Sequence, residues 1–281
     1  MTMLSAWAGA PLALAAAQAM PLMARARGDA AMPARLLSLM DAGDLYDCYG
    51  GRIALVPVVG LLVNKLGWFD PWGWWTGYDV LRMQIETALA DPEVAAVALI
   101  IDSPGGHAAG LPELAQWING QAAGAKPIVG IGDGLMCSAA YYLGAACTAL
   151  TMPPSGFVGS IGAICEHWDF SKMLAEWGLA IEVIAAGERK ADGHPAFALS
   201  DGARASYQTM IDRLRGQFVA DVAAFRGLAE ADLMGTEAGV YDGFSLGADP
   251  EPLRLGLVDA IRPAEDALAA LLADISTPTA A

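Results

Sequence analysis

The strongest constraint on the fold is a series of short, nearly unbroken apolar runs separated by stretches with helical spacing. Ile53 to Val59, Val94 to Asp102, Pro127 to Gly132, Ala149 to Met152 and Ile181 to Ala185 lack the in–out alternation of a half-buried strand. Runs of this kind suit strands covered on both faces, as in sheets flanked by helices. Between and after them, residues 78–89, 110–123, 138–145, 170–177, 202–225 and 263–273 read as helices. Alternating strands and helices predict α/β layering with helical crossovers. With 55% hydrophobic and 17% charged residues among 281, the chain is a packed protein and not a disordered one.

Three regions follow. Residues 1–50 read as a helical, Ala-rich leader, 51–263 as the folded domain, and 264–281 as a last helix with a loose tail. The first 24 residues carry no charge. A secretory signal needs a basic start, whereas Arg25, Arg27 and Arg35 follow the apolar run, and Pro11, Gln18 and Pro21 break it as a spanning helix. Although Ala17-Gln18-Ala19 imitates a cleavage site, the expectation is a cytoplasmic protein without membrane attachment. The net charge of -15 and the lack of a Lys/Arg stripe argue against nucleic acid as a partner. Cys48, Cys137, Cys147 and Cys165 form no CxxC pair and have apolar sequence neighbours, so buried free thiols are expected, with no zinc and no disulfide framework. Five aromatics crowd Trp68 to Trp75 around Pro71 and Gly73, a pattern that suits a subunit contact or a substrate groove.

Four segments have the composition of a reactive site. Asp102-Ser103-Pro104-Gly105-Gly106 lies between an apolar strand and a helix. Its glycines let backbone N–H groups approach a ligand closely, as an oxyanion hole requires, and equally suit a simple turn. Met136-Cys137-Ser138-Ala139-Ala140 places a serine among small residues at a helix start, where it is either a nucleophile or a helix cap. Gly159-Ser160-Ile161-Gly162 is a tight turn with a hydroxyl, and Gly187 to Gly193 is a polar loop holding Lys190.

Taken jointly, the order SPGG, serine at a helix start, GSIG and loop lysine resembles the signal peptide peptidase A family. Lys190 lies 52 residues after Ser138 and Ser160 lies 22 after it, offsets similar to those of short bacterial members. Met136 to Ala139, Lys190 to Pro195 and Gly239 to Gly243 are most similar to the capsid assembly (head maturation) branch from tailed phages.

The resemblance implies a Clp-protease/crotonase-like superhelix of ββα units and a serine endopeptidase that needs no cofactor. It implies a Ser138–Lys190 dyad, Ser160 orienting the amine, and backbone N–H groups of Gly105 or Gly106 and Ala139 holding the oxyanion. The expected substrates are capsid or scaffold proteins during head maturation, in the host cytoplasm or inside the procapsid. The alternative is a cellular signal-peptide or membrane-protein peptidase. Relatives form rings, so a homo-oligomer is expected. A lysine takes the serine proton only when neutral, and at an ordinary pKa of about 10.4 well under 1% is neutral at pH 7. Burial is the main remedy, and the apolar stretch before Lys190 suggests a buried mouth.

Other chemistries remain open on sequence. A Ser-His-Asp triad would draw on His107, His167 or His194, but Clp-type spacing falls on Ala163, with His167 out of register. An acyl-CoA enzyme would use the same glycines without Ser138 or Lys190, and an inactive assembly factor would use neither.

Overall fold

The computed structural model describes residues 11–14 as backbone, and 45–66, 74–244 and 249–276 in full. In chain order the elements are β1 (Pro11–Leu14), β2 (Asp47–Tyr49), β3 (Ile53–Val63), β4 (Trp75–Gly77), α1 (Tyr78–Ala90), β5 (Ala96–His107) and α2 (Leu111–Ala122). They continue with β6 (Ile128–Cys137), α3 (Ala139–Ala145), β7 (Ala149–Met152), β8 (Phe157–Gly159), β9 (Ile164–Cys165), α4 (Ser171–Glu176) and α5 (Asp201–Arg226). The last are α6 (Glu230–Gly235), β10 (Val240–Asp242), α7 (Glu251–Arg254), β11 (Ala260–Ile261) and α8 (Ala264–Ser276).

The centre is a parallel stack: β3 on β5, β5 on β6, and β6 on β7. Strand β5 explains why its sequence is apolar without alternation. Val97, Leu99 and Ile101 enter a core with residues of α1, α2, α3 and α5, while Ala96 and Ala98 enter a second core with Ala267 and Leu268 of α8. Both faces are dry, so the two-residue period carries no polar phase. The small residues lie on the α8 side, where they allow a helix to approach closely.

Register shifts occur at Val59/Leu61 in the β3–β5 pair and at Ile101/Ser103 in the β5–β6 pair. Gly60 makes the first possible, with φ of 70° and a position where any Cβ would lie 2.2 Å from the Trp74 carbonyl oxygen. Past these shifts β5 keeps β3, through Leu61↔Gly105 and Leu62↔Gly106, and the strands take further partners. Gly105 to His107 of β5 pair with β1, and Leu135 to Cys137 of β6 pair with β8. The far ends of β5 and β6 thus gain neighbours outside the central stack within the same sheet, with a reactive-type motif on each.

Helix α5 shows ordinary capping. Ser200 accepts from the Ala203 N–H at 3.1 Å, and Gly227 closes the far end at φ 66°. Its final residue, Arg226, makes two hydrogen bonds to Asp259, at 2.7 and 2.9 Å, and two to the Gly256 carbonyl. Asp259 also accepts from the Leu150 N–H at 2.7 Å, which ties α5 to β7 beside β11. Burial alone would raise the Asp259 carboxyl. The Arg226 and Leu150 bonds and the guanidinium charge outweigh it and hold the group below the usual carboxylate range. A lowered folded pKa contributes stability above the unfolded value near 3.9, and that stability is lost as pH falls through the lower folded value. Because the Asp259 side chain is about half exposed and partly screened by water, Asp259→Asn should cost only about 1 kcal/mol at neutral pH, with the deficit shrinking below roughly pH 3 in urea titrations. A pH-independent deficit would rule out this ion-pair role.

The sequence-based expectations need three corrections here. Within the expected helical leader, the described segments Pro11–Leu14 and Asp47–Tyr49 are strands, because sheet edges offer their backbones partners. Ile181 to Ala185 is exposed and forms no strand, since no edge of the described sheet pairs with it. Of the four cysteines, Cys137 and Cys147 are buried, Cys165 is half-buried and Cys48 is exposed. Of the aromatic segment, Trp68 to Gly73 lies outside the described residues. Trp74 accepts the Leu61 N–H through its carbonyl at 3.0 Å, and Trp75 begins β4. Among the described residues, no helix is long and apolar enough to cross a membrane.

Candidate active site

Ser138 occupies the turn between β6 and α3. All seven residues of α3 are buried, so the helix is fixed by packing and carries the turn with it. The serine backbone has φ 55° and ψ -124°, a conformation rare outside glycine that costs about 1–3 kcal/mol. Its N–H donates to the Gly159 carbonyl at 2.8 Å, and its carbonyl accepts from Tyr142 N–H at 3.0 Å. Backbone bonds on both sides hold the strained residue in place.

The side chain makes no use of its position at the helix start. Ser138 is 1% exposed, gives no side-chain cap to α3, and its Oγ has no hydrogen-bond partner among the described residues. A buried, unpaired hydroxyl is unusual and costs about 1–3 kcal/mol. Ser200 at the start of α5 does cap, so the chain has a true N-cap serine for contrast. The capping role open on sequence is thereby excluded for Ser138.

Ser160 is close to this turn through the backbone. Gly159, with φ 115°, pairs with Cys137 across β6–β8, and Ser160 follows at φ 57°. The Ser160 N–H donates to the Gly239 carbonyl at 2.7 Å, and the side chain is in a residue only 6% exposed. Two serines with left-handed backbones thus occupy adjacent strand ends. The Gly239–Gly243 segment singled out in the sequence is what braces the second of them, through β10 on β8.

The glycine pair divides its duties. Gly105 has φ 112°, and its N–H donates to Ser103 Oγ at 3.1 Å. Ser103 in turn donates to the Gly60 carbonyl at 2.6 Å. This fully buried serine pins the bend of β5 to the bend of β3, a role the sequence reading missed. A Cβ on Gly106 would lie 1.9 Å from the Leu62 carbonyl oxygen, so no other residue fits there. Ala139 opens α3, and its N–H has no acceptor within the helix. Burial first, and then the neighbouring Asp102 carboxylate, raises the Asp133 carboxyl on β6 above its ordinary range.

Lys190 does not join this group within the single chain. It is exposed, in a turn where its N–H donates to the Gly187 carbonyl at 3.1 Å. It lines an open depression with Val183 to Ala186 and Ala191 to His194. The expected buried mouth is absent here, because the apolar residues meant to form it are themselves in solvent. Nor does a histidine take the place of lysine. His167 Nε2 lies 3.0 Å from the Phe197 carbonyl, His194 Nδ1 accepts from Ala196 N–H, and Ser138 Oγ bonds to no imidazole.

Comparison with known proteins places the chain in a family. Residues 121–275, just over half the chain, match the model of peptidase family S49. The chain is 36% identical over 219 residues to the head-tail preconnector protein GP5 of Enterobacteria phage P21, covering 78% of this chain and 42% of that protein. It is 32% identical over 216 residues to the capsid assembly protease C of Escherichia phage lambda, covering 77% and 48%. The chain therefore spans a little under half the length of these two relatives. Among solved structures, a ClpP1 mutant from Listeria monocytogenes aligns with a TM-score of 0.45 at 15% identity, over 76% of this chain and 94% of that one.

Proposed function

Because this chain belongs to peptidase family S49, we propose that it is a serine endopeptidase in which Ser138 is the nucleophile and Lys190 the general base. The observation that carries the reading is the strained, buried Ser138, whose hydroxyl neither caps its helix nor bonds to any group. Such a hydroxyl is held ready for an incoming carbonyl.

In this mechanism Ser138 Oγ attacks the scissile carbonyl carbon as its proton passes to a neutral Lys190 amine. The resulting oxyanion accepts from the N–H groups of Ala139 and Gly106, with Gly105 held in place by Ser103. Collapse breaks the C–N bond, and Lys190 gives its proton to the departing amine. Water then attacks the Ser138 ester, losing its proton to Lys190, and the freed acid leaves as Ser138 recovers a proton. Ser160 orients the lysine amine. No cofactor enters the scheme.

The exposed Lys190 makes self-association part of this proposal. Packing the 177–199 segment against a second copy of the chain would take Lys190 out of water, the condition under which its neutral form becomes accessible. By analogy with the lambda capsid assembly protease, the substrates are capsid or scaffold proteins, and the site of action is the infected cell or assembling head.

A fluorophosphonate probe tests the central claim. It should add one phosphonyl group, found on Ser138 by peptide mass spectrometry, and should stop cleavage of a casein or scaffold-protein substrate. Labelling of another serine, or inhibition without labelling of Ser138, would remove Ser138 as nucleophile.

A further inference from the structure

Strand β1 is distant in sequence from everything it touches. Leu12, Ala13 and Leu14 pair antiparallel with His107, Gly106 and Gly105 of β5, while Pro11 and Leu12 pair antiparallel with Cys165 and Ile164 of β9. Among the described strands, β1 is what joins β5 to β9 in the sheet order. Without it, the edges of β5 and β9 that it pairs with would face each other across the width of one strand. Facing edges of that kind take up an extended peptide through its main chain.

The direction of β1 matters as much as its place. From Leu12 to Leu14 its partners on β5 fall from His107 to Gly105, so the chain heads toward Ser103. Ser103 pairs with Met136, two residues before Ser138. A peptide in this slot, with this polarity, is led toward the Ser138 turn and past the glycine pair. The segment belongs to the same chain, so it competes as an intramolecular ligand, at an effective concentration on the order of 1 mM.

We infer that Pro11–Leu14 occupies the peptide slot of its own active site, so that substrates offered in trans must displace it. This rests on the reading of Ser138 and the glycine pair as the reactive site. For a peptide of about 100 μM affinity, competition from a tethered strand at about 1 mM weakens apparent binding roughly tenfold.

The test uses the full chain with Ser138→Ala, so that the segment is not turned over. A fluorescein-labelled synthetic peptide of residues 8–19 is titrated by anisotropy against this protein and against its Leu12→Pro/Ala13→Pro derivative. Successive residues of a strand point their N–H groups to opposite neighbours, so the paired prolines remove one donor toward β5 and one toward β9. The derivative should bind about ten times more tightly, and equal affinities would overturn the inference. Should the derivative not fold, hydrogen exchange on the parent decides. Millimolar peptide should unprotect the amides of residues 12–14 while Gly105 to His107 stay protected, and unchanged exchange at 12–14 overturns it. If the affinity difference holds but neither Ser138-containing protein hydrolyses any peptide, the peptidase reading fails and the occupancy stands.

Discussion

Ser138→Ala should abolish peptide hydrolysis, a fall on the order of ten-thousand-fold or more, while the melting temperature stays level or rises slightly. The two halves of that expectation have separate causes. Activity disappears because no other group is held to attack the carbonyl. Stability is kept because Ser138 Oγ has no hydrogen bond to lose, and alanine keeps the Cβ that the strained backbone already accommodates. Removing a buried unpaired hydroxyl returns up to about 1–3 kcal/mol of its desolvation cost. Lys190→Ala should give a loss of the same order without unfolding, since the side chain is exposed. Lys190→Arg should be equally inactive, because a guanidinium keeps its charge and cannot act as base. Wild-type turnover in Lys190→Arg would return Lys190 to a surface role and reopen the search for the base.

Different parts of the site were legible in the sequence for different physical reasons. Strand β5 could be read because both its faces are dry, which writes an apolar run into the residues themselves. Gly105 and Gly106 could be read because glycine is the one residue that suits a positive φ, or a place where any Cβ would lie 1.9 Å from the Leu62 carbonyl oxygen. Ser138 was ambiguous, since a serine before a helix is the same letter whether or not it caps, and only its unpaired Oγ separates the two. Ser103 was hidden inside a motif read for its glycines; the nearby Gly60 was its only signal. Strand β1 left no trace, because its partners bond to its backbone and a backbone has no residue type. Ile181 to Ala185 misled because an apolar run reports that a segment is to be covered, without saying by what.

That uncovered run leads to the second large effect. Within 168–199, Trp177 is 67% exposed, Leu179 53% and Ile184 93%, alongside Trp168, Phe170 and Phe197 at about two-fifths. Exposed large apolar residues gathered in one stretch of a lone chain mark a contact region. Burying a single Leu or Ile gains about 1.5–3 kcal/mol, so a few such residues suffice for micromolar self-association once orientation and ordering costs are met. Lys190 lies in the same depression as Ile184, so the contact that covers the apolar residues also dries the amine. Assembly and activity should therefore fall together. At micromolar concentration the chain should sediment as a homo-oligomer, and its specific activity should drop on dilution. Ile184→Asp places a charge in the contact; it should shift the protein to monomers and lower hydrolysis at least a hundredfold. The fold should persist, because Ile184 is 93% exposed among the described residues. A monomer retaining full specific activity would separate the surface from the chemistry, and the neutral lysine would then need another source.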